Sequence, residues 1–96
     1  MARVRISAFG SVGREVGWAS REIEVEPGTV ADALRAIETG DGRSLLELLA
    51  EGDRVRPTYT LLLNGINVED AEGLSTKIRD QDQIAALNVI RISAGG

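Results

Sequence analysis

Two segments near the start of the chain, in which polar and apolar residues alternate, constrain the fold more than any other feature. Within residues 3–9 the even-numbered members are apolar, and residues 21–26 alternate again before Pro27-Gly28. A period of two is typical of a strand with one buried face, and Pro-Gly indicates a turn. We therefore predict a hairpin whose long connecting loop contains three glycines: Gly10, Gly13 and Gly17.

The residues after this turn carry a helix start signal. Thr29 is a candidate N-cap, and Asp32 three residues later makes a capping box with it. Gly40 is the predicted end of this main helix, and a second capping box at Ser44 starts a short leucine-rich helix that closes at Gly52. The main helix has one apolar stripe at i, i+3, i+4, i+7 spacing: Val30, Ala33, Leu34 and Ile37.

The second half of the chain is again rich in strand signals. Residues 58–63 predict a strand, and Asn64-Gly65 after it is the strongest short hairpin signal. Residues 66–68 return as a short strand, residues 69–82 are polar and rich in turns, and residues 83–92 form the last strand. Two apolar side chains are expected to fix the polar segment to the core: Leu74 and Ile78.

Composition sets the class of protein. A chain of 96 residues, 43% apolar and with one Phe, one Tyr and one Trp, predicts a single domain with an aliphatic core. The net charge of −4 without a basic run argues against nucleic-acid binding. The sequence has neither a membrane-length apolar stretch nor the pattern of a signal peptide, so we expect a cytoplasmic protein without membrane contacts.

The chain has no Cys and no His, which excludes thiol nucleophiles, Ser–His pairs and nearly every transition-metal site. Its carboxylates fall on predicted helix ends, turns and exposed strand positions, and Asp80 with Asp82 suits a turn better than a calcium site. We therefore expect no metal site and no catalytic residues of its own. Any covalent chemistry needs a partner that supplies the catalyst.

The sequence ends on Ser93-Ala94-Gly95-Gly96, directly after the last predicted strand. Glycine has no Cβ, so Gly95, Gly96 and the α-carboxylate could enter a slot too narrow for other residues. Extended, these four residues would reach roughly 13–14 Å beyond the sheet. A carboxylate on such a stalk suits a protein that is itself a substrate; the alternative is an ordinary frayed terminus.

The last predicted strand is apolar on both sides. If Leu87 and Val89 face the core, Ile90 and Ile92 face outward, and the same parity turns Leu62 outward. Such a strand is either covered on both sides or presents a patch to a partner. We predict a partner-binding patch, whose members are Leu62, Ile90, Ile92 and Phe9.

Five segments and their order carry a family resemblance: ISAFGSV at 6–12, EVEPGTVADAL at 24–34, LLLNGINV at 61–68, GLSTKIRDQDQIA at 73–85, and the terminal Gly-Gly. Together they resemble the ubiquitin-like β-grasp proteins, and more narrowly the sulfur carriers of the molybdopterin synthase small-subunit and thiamine sulfur-carrier type. The resemblance implies an α+β fold, with a mixed four- to five-stranded sheet packed on one main helix and a short second helix. Residues 1–92 would form the β-grasp domain and residues 93–96 a flexible tail.

The resemblance also implies a mechanism. In this family an E1-like adenylating enzyme uses ATP and Mg²⁺, which the carrier itself does not bind, to activate the terminal carboxylate. Sulfur then replaces AMP, and the thiocarboxylate delivers it to an accepting enzyme such as a molybdopterin synthase large subunit. Here Gly96 would be the reacting residue, with Gly95 and Ala94 threading into the active site.

Two alternatives stay open beside the sulfur carrier: a ubiquitin-like modifier joined through Gly96 to lysines, and a non-covalent β-grasp interaction module. The last predicted strand has no proline and is about three residues longer than is common in this family. An acceptor enzyme recognises the tail, and the tail of this chain departs from the family pattern. The sequence therefore does not decide whether the sulfur acceptor is a pterin, a thiazole or another molecule.

Overall fold

A five-stranded mixed sheet organises the structure, a computed structural model that describes residues 2–26, 28–78 and 84–91. The elements in chain order are β1 (Ala2–Ala8), α1 (Ser11–Val16), β2 (Ser20–Val25), β3 (Gly28–Thr29), α2 (Val30–Arg35), α3 (Leu45–Leu49), β4 (Ala50–Glu51), β5 (Arg54–Val55), β6 (Tyr59–Leu63), β7 (Ile66–Asn67), β8 (Lys77–Ile78) and β9 (Ala85–Arg91). The strand order of the main sheet is β2-β1-β9-β6-β7. β1 and β9 are parallel, and the other neighbours are antiparallel.

The hairpin of β1 and β2 separates the two faces of this sheet, as the alternation predicts. Val4 and Ile6 are fully buried in the core beneath the helices. On the opposite side, which we call the outer face, Arg3 and Arg5 both donate to the Glu22 carboxylate, at 3.3 and 3.2 Å. Exposed ion pairs of this kind add little stability, so burial of the inner face holds the hairpin.

Helix α2 begins where the sequence predicts and ends earlier. Thr29 Oγ1 accepts from the Asp32 N–H at 3.3 Å, and the Asp32 carboxylate accepts from the Thr29 N–H at 3.0 Å, which completes the capping box. The helix stops at Arg35, so the predicted end at Gly40 is wrong. Ile37 remains buried without helical backbone, because apolar burial does not require the helix to continue.

Helix α1 replaces part of the loop predicted around the three glycines. Val12 and Val16, four residues apart, are both fully buried, which gives this segment a core-facing helical side. Gly17 ends the helix in the left-handed conformation, at φ 86°, where glycine is favoured. The low helix propensity of Gly13 is overridden by the packing of the two valines.

Helix α3 starts at Ser44, whose Oγ accepts from the Glu47 N–H at 3.2 Å, one of the two bonds of the predicted capping box. It ends at Leu49 rather than continuing to Gly52, which instead lies in the turn of the β4–β5 hairpin at φ 66°. Beyond β7 the chain forms two 3₁₀ helices, Val68–Asp70 and Gly73–Ser75. Val68 therefore begins a 3₁₀ helix and does not extend the returning strand as predicted.

Leu74 and Ile78 are buried, as predicted for the polar segment between the last strands. β8, which contains Ile78, pairs with β3 and so closes this segment against the start of α2. The predicted end of the turn-rich segment and the predicted limits of the last strand, Gln83 and Ile92, lie outside the described residues. The longest described helices have six residues, and none of the described helices is long and apolar enough to cross a membrane.

Candidate tail-presenting site at the end of strand β9

The predicted reacting residue Gly96 and its neighbours Gly95, Ala94 and Ile92 lie outside the described residues. The site is therefore defined by the residues that lead to them, at the carboxyl end of β9. Arg91 is the last residue of that strand, so the contacts of Arg91 define the described end of the chain nearest to Gly96.

Strand β9 occupies the middle of the sheet but extends beyond one of its neighbours. Its ladder with β1 ends at the pair Ala8:Val89, after which the Phe9 N–H donates to the Val89 carbonyl at 3.1 Å. Its ladder with β6 continues two residues further, to the pair Tyr59:Arg91. The last two residues of β9 thus have a strand on one side only.

A carboxylate from α1 stands beside this one-sided end. Glu15 accepts a hydrogen bond from the Tyr59 hydroxyl at 2.7 Å and one from the Arg91 guanidinium at 2.6 Å, through its two different oxygens. Burial, and then the hydrogen bond to the Glu15 carboxylate, raise the pKa of Tyr59 above its ordinary value of 10.0. The carboxylate joins a helix and two strands at the base of the tail.

Sequence reasoning missed Glu15. The residue lies in the segment predicted as a loop, and its two partners are 44 and 76 residues away in the chain. The parity of β6 could have placed Tyr59 on the inner side with Leu61. No local pattern, however, could have placed the carboxylate beside it.

Three of the four residues predicted as a partner-binding patch lie next to one another in the sheet. Leu62 and Ile90 are half-buried, on the outer face, on the adjacent strands β6 and β9. The hydrogen bond from the Phe9 N–H to the Val89 carbonyl brings Phe9, 49% exposed, to the same end of β9 as Ile90. We call Phe9, Ile90 and Leu62 the apolar patch.

The surroundings of the apolar patch on the outer face are uncharged. Thr60 and Asn88 are the register partners of Ile90 and Leu62, and Ser7 pairs with Asn88 on the β1 side. The arginines and glutamates of this face lie on the β1–β2 hairpin instead. A neutral apolar surface beside the base of the tail is the chemistry expected where a partner excludes water.

The described part of the molecule also has a cleft away from the end of β9. A cleft of about 570 Å³ beside β6 is lined by Arg54 and Arg56 but also by Glu51 and Glu69, so charges of both signs offset one another there. No three His, Cys, Asp or Glu side chains within the described ranges are grouped to hold a metal ion. Asp80 and Asp82, predicted to form a turn, lie outside those ranges.

The strand order, with a parallel central pair and helices on one face, is that of the ubiquitin-like β-grasp proteins, and solved structures similar to this chain confirm this fold. The Haloferax volcanii HVO 2177 protein has a TM-score of 0.75 at 29% identity, and the match covers 99% of this chain and 87% of that one. Small archaeal modifier protein 1 of Methanosarcina acetivorans has a TM-score of 0.70 at 21% identity, over 100% of this chain and 98% of that one.

A comparison of sequences identifies the family within the β-grasp proteins. A protein of Archaeoglobus fulgidus described as "Putative sulfur carrier protein" is 31% identical over 75 residues, which cover 78% of this chain and 82% of that protein. No protein-family model matches the sequence. By this relationship and by its fold, the chain belongs to the ubiquitin-like β-grasp sulfur carrier family.

Proposed function

We propose that this protein carries sulfur as a thiocarboxylate on the α-carboxylate of Gly96. The observation that carries the proposal is its membership of the sulfur carrier family, supported by a sequence that ends on Gly-Gly soon after β9. The pathway we propose is molybdenum or tungsten cofactor biosynthesis in the cytoplasm, in which the sulfur would pass to a molybdopterin precursor.

The chemistry requires activation by another protein. A carboxylate is a poor electrophile until one of its oxygens becomes part of a good leaving group. In the proposed sequence the Gly96 carboxylate oxygen attacks the α-phosphorus of ATP and pyrophosphate leaves. A sulfur nucleophile then attacks the Gly96 carbonyl carbon, and AMP leaves with the former carboxylate oxygen. This protein serves as carrier and co-substrate, not as an enzyme, while an E1-like adenylating partner supplies ATP and Mg²⁺.

The residues of this chain would have two roles: the C-terminal residues enter the active site, and the apolar patch binds the partner. Gly95 and Ala94 form a thread narrow enough for a buried active site, because neither carries a side chain beyond Cβ. The apolar patch of Phe9, Ile90 and Leu62, with Ile92, gives the partner a docking surface beside the base of the thread. We propose that the adenylating enzyme and then the sulfur-accepting enzyme, such as a molybdopterin synthase large subunit, use this surface in turn.

The decisive experiment is intact mass spectrometry of the protein after incubation with its adenylating partner, ATP and a sulfide source. Replacement of one oxygen by sulfur adds about 16 Da. The matched control is the chain without Gly96, whose new terminus ends on Gly95 and should stay unchanged in mass. If the parent mass never changes although the partner consumes ATP, the sulfur carrier proposal is wrong.

A second candidate, a ubiquitin-like modifier, is favoured by the similarity to small archaeal modifier protein 1. The activated Gly96 carbonyl would then be attacked by a lysine Nζ of another protein, with loss of AMP. Isopeptide-linked adducts in cells should then disappear when Gly96 is deleted. If removal of Gly95 and Gly96 leaves the biological activity intact, the tail is incidental and the third alternative, a non-covalent interaction module, is correct.

A further inference from the structure

The geometry points to Glu15 as a positioning residue that fixes the root of the tail at Arg91, an inference that rests on the proposed function. Glu15 would act through Arg91, by holding the last described residue of β9 in place on the way to Gly96.

The need for such an anchor follows from the backbone. In the described part of β9, the hydrogen bonds from Asn64 N–H to Ala86 C=O and from Phe9 N–H to Val89 C=O set the alternation of the strand. Even-numbered residues of β9 direct their backbone groups toward β6, and odd-numbered residues direct them toward β1. Arg91 therefore directs its N–H and C=O to the side on which the β1 ladder has already ended.

A side-chain contact of Arg91 holds this end of β9 where the β1 ladder has ended. The Arg91 guanidinium donates a hydrogen bond to the Glu15 carboxylate. The same carboxylate accepts a hydrogen bond from the hydroxyl of Tyr59, which is the residue opposite Arg91 in the β6–β9 ladder. The side chain of Glu15 is 26% exposed and that of Arg91 47%, and α1, which carries Glu15, is fixed by the buried Val12 and Val16. Charge-assisted bonds to a half-buried, preorganised carboxylate are among the stronger hydrogen bonds in proteins.

Loss of the Glu15–Arg91 contact should affect the rate of thiocarboxylate formation more than the affinity for the partner. If Arg91 is released, the end of β9 frays and the partner must order additional backbone before the tail reaches its active site. Ordering one residue lowers a rate by a factor of roughly five to thirty. The apolar patch lies on the other face of the sheet, so the affinity for the partner should change little.

The test compares Glu15→Gln with Glu22→Gln in the full-length protein. Glu22 is a matched control because its carboxylate also binds two arginines, Arg3 and Arg5, but on the outer face of the β1–β2 hairpin. For E15Q we expect thiocarboxylate formation with kcat lowered roughly tenfold and the KM for the carrier within about twofold of the parent. E22Q should match the parent in both constants.

A second measurement does not depend on any partner. Amide hydrogen exchange at Ile90, whose N–H faces Thr60, should accelerate roughly tenfold in E15Q, while exchange at Leu87 in the middle of β9 stays as in the parent. Tyr59→Phe, which removes one of the two bonds to the carboxylate, should give a smaller acceleration. Unchanged exchange at Ile90 in E15Q overturns the anchoring role.

The two measurements separate the inference from the proposed function. A parent protein that never gains mass overturns the sulfur carrier proposal, whatever the exchange data show. A parent that reacts, with E15Q reacting at the same kcat, overturns the positioning role alone. Loss of kcat in both E15Q and E22Q would also contradict it, because the effect would then follow from surface charge.

Discussion

Asn64 and Ala86 exchange two hydrogen bonds across the sheet. The Asn64 N–H donates to the Ala86 carbonyl at 2.8 Å, and the Asn64 side-chain oxygen accepts from the Ala86 N–H at 2.9 Å. Asn64 has φ 52°, the only positive value of a non-glycine residue in the described part of the chain. The turn that reverses β6 thus also fixes the start of β9, at the end of the sheet opposite to Glu15.

The first prediction concerns this turn. Asn64→Ala should lower the free energy of unfolding by about 2 kcal/mol. It removes the side-chain hydrogen bond to Ala86, and alanine, unlike asparagine, has no polar side chain whose hydrogen bonds offset the cost of the left-handed conformation. Asn64→Gly should cost about 1 kcal/mol, since only the side-chain bond is lost. Urea unfolding measures both, and equal losses would show that the backbone conformation at this position carries no strain.

The second prediction concerns the capping box of α2. Thr29→Ala should reduce the free energy of unfolding by about 1 kcal/mol, because the N–H of Asp32 loses its acceptor. Thr29→Ser keeps the hydroxyl and should stay close to the parent. If Thr29→Ser lowered the free energy of unfolding as much as Thr29→Ala, the methyl group of Thr29, not the cap, would be what stabilises the helix.

The third prediction is acid sensitivity that depends on Asp32. Hydrogen bonds from the Thr29 backbone N–H, and then from the Thr29 side chain, hold the pKa of Asp32 below its ordinary value of 3.8. The unfolded chain therefore binds the proton more readily than the folded one. The contribution of Asp32 is complete above pH 3.8 and is lost as the pH falls through the lower folded pKa.

Urea midpoints of the parent and Asp32→Asn, measured across this acidic range, test the prediction. The parent should lose more stability than Asp32→Asn as the pH falls. Part of the acid sensitivity should remain in the variant, because the hydroxyl of Thr39, and then the N–H of Arg43, also lower the pKa of Asp41. Parallel curves for the two proteins would contradict the assignment to Asp32.

The fourth prediction is alkaline sensitivity that depends on Tyr59. Burial and the Glu15 carboxylate raise its pKa above 10.0, so the folded protein retains the phenolic proton longer than the unfolded chain. The stabilisation is complete below pH 10.0 and is lost as the pH rises through the folded pKa. Because the chain has one tyrosine, ultraviolet absorbance reports its titration directly.

Two variants check the alkaline prediction. Tyr59→Phe should unfold with less dependence on alkaline pH than the parent. Glu15→Gln, which removes the negative charge beside the hydroxyl, should move the titration of Tyr59 toward its ordinary pKa. An unshifted titration in Glu15→Gln would show that burial alone sets the pKa.

The fifth prediction concerns the apolar patch. Ile90→Asp should keep the fold, because Ile90 lies on the outer face, and should lower the rate of partner-dependent thiocarboxylate formation at least about tenfold. Ile66→Asp is the matched control, since Ile66 is 61% exposed at the β6–β7 turn, away from the tail. Equal losses in the two variants would contradict docking through the patch.

The parts of the fold that sequence reasoning predicted are those encoded within a few residues. The capping box at Thr29, the turn at Asn64-Gly65 and the alternation of β1 each occupy a short segment, and each was confirmed. The parity of β9 correctly turned Ile90 to the outer face for the same reason. Short-range patterns specify these features because their energetics depend on neighbouring residues.

The parts that were missed depend on residues that meet only in the folded chain. Helix α1 forms although its sequence contains Gly13, because Val12 and Val16 find a buried surface that is built by distant strands. The bonds of Glu15 to Tyr59 and Arg91 are likewise invisible before the sheet is assembled. Local propensity and spacing do not specify which residues from distant segments meet in such contacts.

The central position of β9 has a consequence for biosynthesis. A nascent chain that lacks residues 85–91 has neither the partner of β1 nor the partner of β6, so the two halves of the sheet cannot join. Folding must therefore wait until translation has passed this strand. A prematurely terminated polypeptide would be left unfolded and exposed to proteolysis, which provides a simple quality control against incomplete chains.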